Sequence, residues 1–488
     1  MKKILVSVVS FFLLAGAGAL QAENVGVPSE CEDVMLQVFY WDSYKNQTST
    51  DSKYGRTKWI DLLKDTAAIN ANFDLVWFPP SAMGGGVGYT HKQLSNQDSD
   101  WGTKTPLKNL ITALHKRNTK VLADVVINHR GNKNNWCDFY LDNFGQYGTF
   151  QLTQKHICRG DEGFTNTSSS CYNAATSERG AADTGSDFDG ARDLDHTNEY
   201  VQNWSKAYVQ WLINVMNYDG FRYDMTLGYH GKYLSMYNEA SNPYLSVSEL
   251  WDGIDRQVTH LKQTNYNTMI FDFPLKFVLN NALGKNSNYR LLANPSNSLR
   301  NRGYRRYSVT FIDNHDTFER GSTYGNNQFG GEKCDLSSAA IKRRVLEAHA
   351  YILMMPGVPC VFWPHWKSYQ SEINALIAVR KEAGIHSESF IEEVGDGTTN
   401  TYEATIQGHN GRVILRMGPN RSKDVPDGYV IAIEGGNVGE YTIFYAAGAQ
   451  GVEEVGDGMR HSEKFIENGK LLIRRGERVY DMLGRIIK

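Results

Sequence analysis

The chain has 488 residues and a formal net charge of −3, with 22% charged and 41% hydrophobic residues. This length is too great for one small domain and allows a large core with additions. The near-neutral charge argues against a polyanionic partner such as nucleic acid. The 12% aromatic content would suit stacking on sugar rings, although a large core explains it equally well.

The first 22 residues have the pattern of a processing signal. Lys2 and Lys3 precede an apolar run over residues 4–20, and Gln21-Ala22 follows. This pattern predicts a secretory signal peptide cut near Ala22. A retained membrane anchor is the alternative, but the run is short for a bilayer and no later stretch could span one. We therefore expect an exported protein that is periplasmic, at the cell surface or extracellular.

Strand-like and helix-like segments alternate between residues 34 and 386. Helical spacing occurs over residues 59–71 and 341–352, and a further helix is predicted to open with Thr105 as cap and Pro106 in its first turn. The alternation predicts a parallel sheet covered by helices. The predicted strands are residues 34–41, 73–80, 121–127, 219–224, 245–252, 267–274, 307–316 and 357–363.

The connection after the third predicted strand is unusually long. About 90 residues separate His129 from Phe221, whereas a single crossover needs about 30. The surplus is rich in Asn, Asp, Gly and Ser, and helical periodicity restarts only at Val201. We expect residues 129–195 to form an inserted subdomain.

Six cysteines follow the signal segment, and six allow 15 connectivities that the sequence does not distinguish. Because three of them lie in the insertion, we expect at least one disulfide there, with Cys158–Cys171 as a candidate pairing. A zinc site is not expected because no paired C-x-x-C occurs. The cysteines are Cys31, Cys137, Cys158, Cys171, Cys334 and Cys360.

Short alternating runs replace the helical pattern after residue 386. They cover residues 402–406, 411–417, 429–434 and 441–445 and are separated by Gly and Asn. This spacing predicts an antiparallel β-domain over residues 387–447. The tail, residues 448–488, contains one predicted hairpin.

Three of the predicted barrel strands each deliver a carboxylate at their C-terminal end: Asp224, Glu249 and Asp316. Arg222 and Asp224 are two residues apart and therefore share a strand face. An isolated pair of this kind is usually a structural ion pair. Three acids at three strand ends are better explained as the active site of a β/α barrel.

Four motifs carry a family resemblance. Residues 124–129 (DVVINH), 220–224 (GFRYD), 249–252 (ELWD) and 311–316 (FIDNHD) resemble the four signature regions of the α-amylase family of glycoside hydrolases, in that family's order. The plant-type and related bacterial α-amylases are most similar, and weaker resemblance extends from about residue 37 to about residue 445.

The resemblance implies an α/β fold, a (β/α)8 TIM barrel with additions. The catalytic barrel would comprise residues 23–128 and 196–386. The insertion at 129–195 would be domain B, a wall of the cleft, and residues 387–447 would form the C-terminal β-domain.

The resemblance also implies roles for the three acids in hydrolysis with retention. Asp224 would be the nucleophile, Glu249 the acid/base and Asp316 the acid that stabilises the transition state. We expect Arg222 to lower the pKa of Asp224, whereas apolar neighbours and two nearby anions should make Glu249 hold its proton.

Residues for sugar binding follow from the same resemblance. His129 and His315 would donate hydrogen bonds to hydroxyls of the glucose at the cleavage point, and Tyr89 would stack on its ring. Arg222 completes the predicted substrate-binding set. Single histidines and tyrosines are more often structural, but both histidines follow directly on predicted barrel strands.

The family's metal is calcium, which takes carboxylate, amide and backbone oxygens. By resemblance the ligands are Asn128, Asp183, Asp193 and the carbonyl oxygens of Ser186 and Gly228. Solvated turn residues are the ordinary explanation of such an Asp-rich loop. The spacing between Asp183 and Asp193 matches the family and favours a metal that fixes the cleft wall.

The sequence departs from the family at Leu227, where a lysine is usual, at Thr90-His91 and at Ser248. The departures leave the product pattern open. We predict a monomeric α-amylase that cuts internal α-1,4 bonds of starch-like α-glucans and maltooligosaccharides. A transferase with the same acids and a non-catalytic glucan-binding protein are the alternatives.

Overall fold

The computed structural model describes most of the chain beyond the predicted signal segment. The predicted signal peptide and Cys334 lie outside the described residues. Those residues are 24–45, 54–285, 287–293, 297–319, 329, 336–394, 400–448, 462–467, 470–475, 478–481 and 487.

Eight parallel strands close into a barrel, which confirms the predicted fold class. The strands are buried throughout apart from Lys120, because the barrel interior covers one face and helices cover the other. Each is shorter than its apolar run in the sequence, since the flanking residues continue as loops. In chain order the strands are Met35–Gln37, Leu75–Trp77, Lys120–Val125, Gly220–Tyr223, Leu245–Ser248, Met269–Phe271, Ser308–Phe311 and Val358–Phe362.

Helices surround the barrel. The predicted start at Thr105 is wrong, because Thr103 has the extended backbone of an N-cap and Lys104 is the first helical residue. Pro106 still lies in the first turn, where the missing N–H costs no hydrogen bond. No helix among the described residues has both the length and the apolarity to cross a membrane. The main helices are Trp59–Asn72, Lys104–His115, Glu199–Asn214, Gly231–Ser241, Ile254–Gln263, Phe273–Leu279, Ala339–Met354, Trp363–Ser368 and Gln370–Ala383.

The insertion leaves and rejoins the barrel through a short antiparallel ladder between His129–Arg130 and Arg192–Asp193. Its disulfide joins Cys137 and Cys171, whose Cα atoms are 5.9 Å apart. The candidate pairing Cys158–Cys171 is therefore wrong. Cys158 is a buried free thiol, and its backbone N–H bonds to the carbonyl of Asp193 at the ladder. The ladder fixes the position of Cys158. The disulfide partner of Cys171 is therefore not the cysteine nearest to it in the sequence.

The C-terminal sheet contains a strand that the sequence pattern did not show. Its order is Phe390–Val394, Tyr402–Gln407, Gly411–Met417, Tyr441–Ala447 and Val430–Glu434, all antiparallel. The tail forms three antiparallel strands rather than one hairpin, since Ser462–Glu467 adds to Lys470–Arg475 and Arg478–Asp481.

Candidate active site

The three predicted acids lie at the same end of the barrel. Asp224 follows the fourth strand, Glu249 follows the fifth, and Asp316 lies in the short helix His315–Glu319 after the seventh. Parallel strands bring their carboxyl ends to one face, which is where barrel enzymes place their chemistry. Residues from distant parts of the chain therefore meet at one end of the barrel.

One guanidinium group links three carboxylates. Arg222 is 1% exposed; its Nη1 lies 2.8 Å from Asp124 Oδ1 and 2.7 Å from Asp224 Oδ1, and its Nη2 lies 2.9 Å from Glu249 Oε1. Asp224 and Glu249 thus approach neighbouring nitrogens of the same planar group. This arrangement is compatible with the carboxyl separation of about 5–5.5 Å that retaining glycosidases use.

Burial dominates the proton affinities of this pair. It raises the pKa of Asp224 to about 6, although Arg222 acts in the opposite direction. Arg222 therefore acts in the direction expected from the sequence, but the net shift is upward because loss of hydration outweighs the ion pair. Burial likewise raises the pKa of Glu249 to about 7, with the charges of Asp224 and Asp316 adding to the rise. Glu249 is accordingly the better proton donor of the two, as the sequence predicted.

The negative charge of Asp316 raises the pKa values of both Asp224 and Glu249. Its carboxylate Oδ2 is 3.4 Å from His315 Nε2. Gln37 Nε2 donates to His315 Nδ1 at 3.0 Å, which leaves the ring proton on Nε2. The Nε2 proton of the buried His315 ring therefore faces the Asp316 carboxylate.

Asp124 is a site residue that the sequence prediction omitted. This buried carboxylate receives hydrogen bonds from Arg222, from Tyr89 Oη at 2.9 Å and from Trp77 Nε1 at 3.1 Å. It fixes the guanidinium and the predicted stacking ring at once. The sequence did contain an indication of this role. Asp124 is an acid within the apolar run of the third strand, where an unpaired charge would be costly.

Aromatic rings pack around the residues predicted to bind sugar. The Tyr89 ring stacks on His315 with centroids 5.3 Å apart and on Trp41 at 6.2 Å. His129 stacks on Phe188 at 4.1 Å, and its Nε2 lies 2.9 Å from the Tyr89 carbonyl oxygen. His129 therefore supports the backbone of the stacking residue.

A group of carboxylates lies where the insertion meets the barrel. Oxygen atoms of Asp183, Asp187 and Asp193 all lie within 4.8 Å of one another. Asn128 Nδ2 is 3.1 Å from Asp193 Oδ1, and a Cβ at Gly228 would lie only 1.9 Å from Asn128 Oδ1. Four of these five residues are predicted ligands, and Asp187 is the one that the sequence prediction omitted.

The backbone of Ser186 is brought to the same place, because its N–H donates to the Leu227 carbonyl at 2.9 Å. Asp183 Oδ2 is buried, and no donor faces it among the described residues. Burial and the neighbouring carboxylates raise the pKa of Asp193 to about 9. Crowded hard oxygen donors of this kind fit a divalent cation such as calcium.

The structure gives the surroundings of three residues that depart from the family pattern: Leu227, His91 and Ser248. Leu227 packs against the apolar cluster that contains Leu250 and Ile254. His91 is buried and its carbonyl accepts the N–H of Gly131, so it links the Tyr89 loop to the start of the insertion. Ser248 is buried within the fifth strand beside His260.

A closed parallel barrel with carboxylates gathered at its C-terminal face defines a barrel-type glycoside hydrolase. The sequence agrees: residues 57–365 match the family described as "Alpha amylase, catalytic domain", and the chain belongs to that family.

Two plant proteins illustrate the relationship. Alpha-amylase 3, chloroplastic, of Arabidopsis thaliana is 29% identical over 430 residues, which are 83% of this chain and 43% of that protein. Probable alpha-amylase 2 of the same plant is 29% identical over 409 residues, covering 79% of this chain and 88% of the relative. The chain thus spans less than half of the first relative and most of the second.

Solved structures share the fold at low identity. An Anoxybacillus alpha-amylase has a TM-score of 0.60 at 15% identity, covering 86% of this chain and 99% of that chain. A Geobacillus thermoleovorans alpha-amylase complexed with acarbose has a TM-score of 0.58 at 15% identity, covering 85% and 98%.

Proposed function

We propose that the protein is an endo-acting, retaining α-amylase that hydrolyses internal α-1,4-glucosidic bonds of starch and related glucans. The observation that carries the proposal is the contact of one buried guanidinium, Arg222, with both Asp224 and Glu249. This contact supports the proposal that a nucleophile and a proton donor act on the same glycosidic bond. Family membership and the alpha-amylase relatives supply the substrate class.

The reaction would proceed in two displacements. Asp224 attacks the anomeric carbon while Glu249 gives its proton to the departing glycosidic oxygen, which yields a covalent glycosyl ester. Glu249 then removes a proton from water, the water oxygen attacks the same carbon, and the bond to Asp224 breaks. Two inversions give net retention.

The neighbouring residues bind and orient the sugar. Asp316 and His315 would hold hydroxyls of the glucose at the cleavage point, and Tyr89 would stack on its ring. His129 lies against the Tyr89 carbonyl, so it would act on the sugar through the position of Tyr89 as well as by direct hydrogen bonding. Arg222 fixes the positions of the two reacting carboxylates relative to each other.

We further propose a calcium ion held by Asn128, Asp183, Asp193 and the carbonyls of Ser186 and Gly228. Asp187 joins this set because its carboxylate shares the cluster. The ion supplies positive charge that neutralises the crowded acids. These residues themselves tie the insertion to the barrel strands that lead into His129 and Asp224.

Export and domain division belong to the same proposal. The disulfide Cys137–Cys171 supports an oxidising compartment after removal of residues 1–22. The ladder of His129–Arg130 with Arg192–Asp193 supports domain boundaries near 129 and 195. We propose that the mature protein acts as a monomer.

A paired substitution tests the assignment. Glu249→Gln should lower kcat on soluble starch by about 10²–10⁴-fold, while the exposed acid three residues later gives the matched control, Asp252→Asn, with near-normal activity. Proton NMR of the first products should show the α-anomer. Normal turnover by Glu249→Gln, or β-anomeric products, would refute the proposed mechanism.

Leu227 favours a second candidate function, transfer of the glucosyl unit to another sugar. Leu227 packs against an apolar cluster at the position where the family usually has a lysine, so the leaving-group side differs from the usual pattern. Incubation with maltotetraose separates the two activities. Hydrolysis gives shorter sugars with rising reducing ends, whereas transfer gives longer sugars at constant reducing ends.

A further inference from the structure

A second group of candidate metal ligands lies at the opposite end of the barrel from the catalytic acids. Ligand atoms of Glu30, His386 and His409 all lie within 4.8 Å of one another. Glu30 precedes the first barrel strand, His386 follows the helix Gln370–Ala383, and His409 lies in the turn after strand Tyr402–Gln407. Three separate parts of the chain therefore meet here.

Hydrogen bonds that do not involve the side chains of the three candidate ligands hold these three segments together. The Cys31 N–H donates to Ser387 Oγ at 3.1 Å, and the Ser387 N–H donates to the Cys31 carbonyl at 2.8 Å. On the other side the His409 N–H donates to the Gly384 carbonyl at 3.0 Å. The candidate ligands thus project from a fixed backbone, which lowers the entropy cost of gathering them.

The His409 ring is oriented in the way that metal-binding histidines are. Its Nδ1 lies 2.7 Å from Glu32 Oε1, and its Nε2 lies 3.4 Å from Glu30 Oε2. A carboxylate on one ring nitrogen fixes the tautomer and turns the other nitrogen toward the metal. The His386 ring stacks on His409 with centroids 4.2 Å apart and planes 13° apart, which keeps the two imidazoles side by side.

We propose that Glu30, His386 and His409 form a binding site for a zinc-class divalent cation, with Glu32 orienting His409. Imidazole nitrogens with one carboxylate suit zinc, whereas calcium takes oxygen ligands. A water molecule would complete the four ligands that zinc usually takes. The Glu388 N–H donates a long hydrogen bond of 3.3 Å to His386 Nδ1.

The location indicates what the ion would do. It lies at the amino-terminal face of the barrel, where residues serve stability rather than chemistry. The ion would join the segment before the first strand, the end of the last barrel helix and the C-terminal sheet. Zinc is therefore expected to raise thermal stability without being needed for turnover.

The test uses the mature protein, stripped with chelator and returned to excess calcium so that the acidic site at the insertion is filled. Zinc chloride is then titrated by calorimetry and by thermal unfolding. We expect one zinc ion per chain and a rise in Tm of about 2–5 °C at saturating zinc. Cobalt should bind at the same place and give ligand-field absorption bands.

Matched variants separate this site from adventitious binding. His409→Gln and His386→Gln should abolish the zinc-dependent rise in Tm and the cobalt bands, whereas His230→Gln should retain both. Glu32→Gln should weaken zinc binding by about 10–100-fold, and Glu30→Gln provides a second ligand variant should a histidine variant fail to fold. A wild-type protein without a zinc response, or an unchanged response in the ligand variants, would overturn the proposal.

Discussion

At the scale of single residues, Arg222 organises the active site. The buried guanidinium contacts Asp124, Asp224 and Glu249, so one cation is shared among three anions that have lost their hydration. Because one positive charge does not offset the burial of three carboxylates, their pKa values rise instead of falling. The site is thereby poised to hold a proton close to neutral pH.

The pH dependence of kcat/KM follows from this arrangement. The proposed mechanism requires Asp224 charged and Glu249 protonated, so activity should fall below the pKa of Asp224, about 6, and above that of Glu249, about 7. We expect a narrow bell with its maximum between these values, whose limbs belong to the coupled pair. Initial rates on a soluble maltooligosaccharide across pH give the profile, and a flat profile from pH 4 to pH 9 would contradict it.

Asp124 has a testable electrostatic effect. Its negative charge raises the pKa of Asp224, so Asp124→Asn should move the acid limb of kcat/KM to lower pH as well as reduce the maximum. The matched control is Asp142→Asn, another buried aspartate paired with an arginine and hydrogen-bonded to a tryptophan, but located in the insertion. Asp142→Asn should lower stability and leave the limb in place; equal limb shifts in both variants would contradict the argument.

At the scale of elements, the loop of the insertion that contains Asp183 and Asp187 is held against the barrel. Gly185 packs so closely that a Cβ there would lie 2.3 Å from the Leu227 carbonyl oxygen. The acids on this loop and Asp193 on the ladder repel one another when charged. A cation bound between these carboxylates would neutralise their charges. It would thereby hold the insertion against the loop that follows the fourth barrel strand.

Variants of two acids in this loop, Asp187 and Asp189, test whether the carboxylates bind a metal or only contribute surface charge. With calcium present, Asp187→Asn should lower Tm because the variant binds the ion less tightly. In chelator it should be at least as stable as wild type, because one of the repelling charges is gone. Asp189→Asn, two residues away and outside the cluster, should behave as wild type in both conditions. Chelation without effect on wild-type Tm would remove the calcium proposal.

At the scale of the whole molecule, Glu347 connects the barrel to the C-terminal sheet. It is buried in helix Ala339–Met354, and its carboxylate accepts hydrogen bonds from Tyr289 Oη at 3.0 Å and from the Glu440 N–H at 2.8 Å. Arg343 Nε lies 3.5 Å away on the same helix. Three parts of the chain depend on one buried acceptor group.

Replacing that acceptor should destabilise the molecule as a unit. Glu347→Leu removes the acceptor of the buried Tyr289 hydroxyl and of the part-buried Glu440 N–H, and the buried hydroxyl alone should cost about 1–3 kcal/mol. Glu403→Leu is the control, since it removes only the partly exposed ion pair with Arg416, whose contribution is about 0–1 kcal/mol. Urea unfolding followed by circular dichroism should show the larger loss for Glu347→Leu. Equal losses would mean that the buried contact does not couple the two parts.

The sequence by itself determined the barrel, because an apolar run ending in an acid is a local pattern that parallel strands and buried active sites both require. It also determined which three acids to examine. The tertiary structure decided the rest: the Cys137–Cys171 pairing, the extra strand Phe390–Val394, and the membership of Asp124 and Asp187 in their sites. Those features depend on which segments pair or meet in space and on how completely water is excluded there, and neither property is encoded in residue spacing.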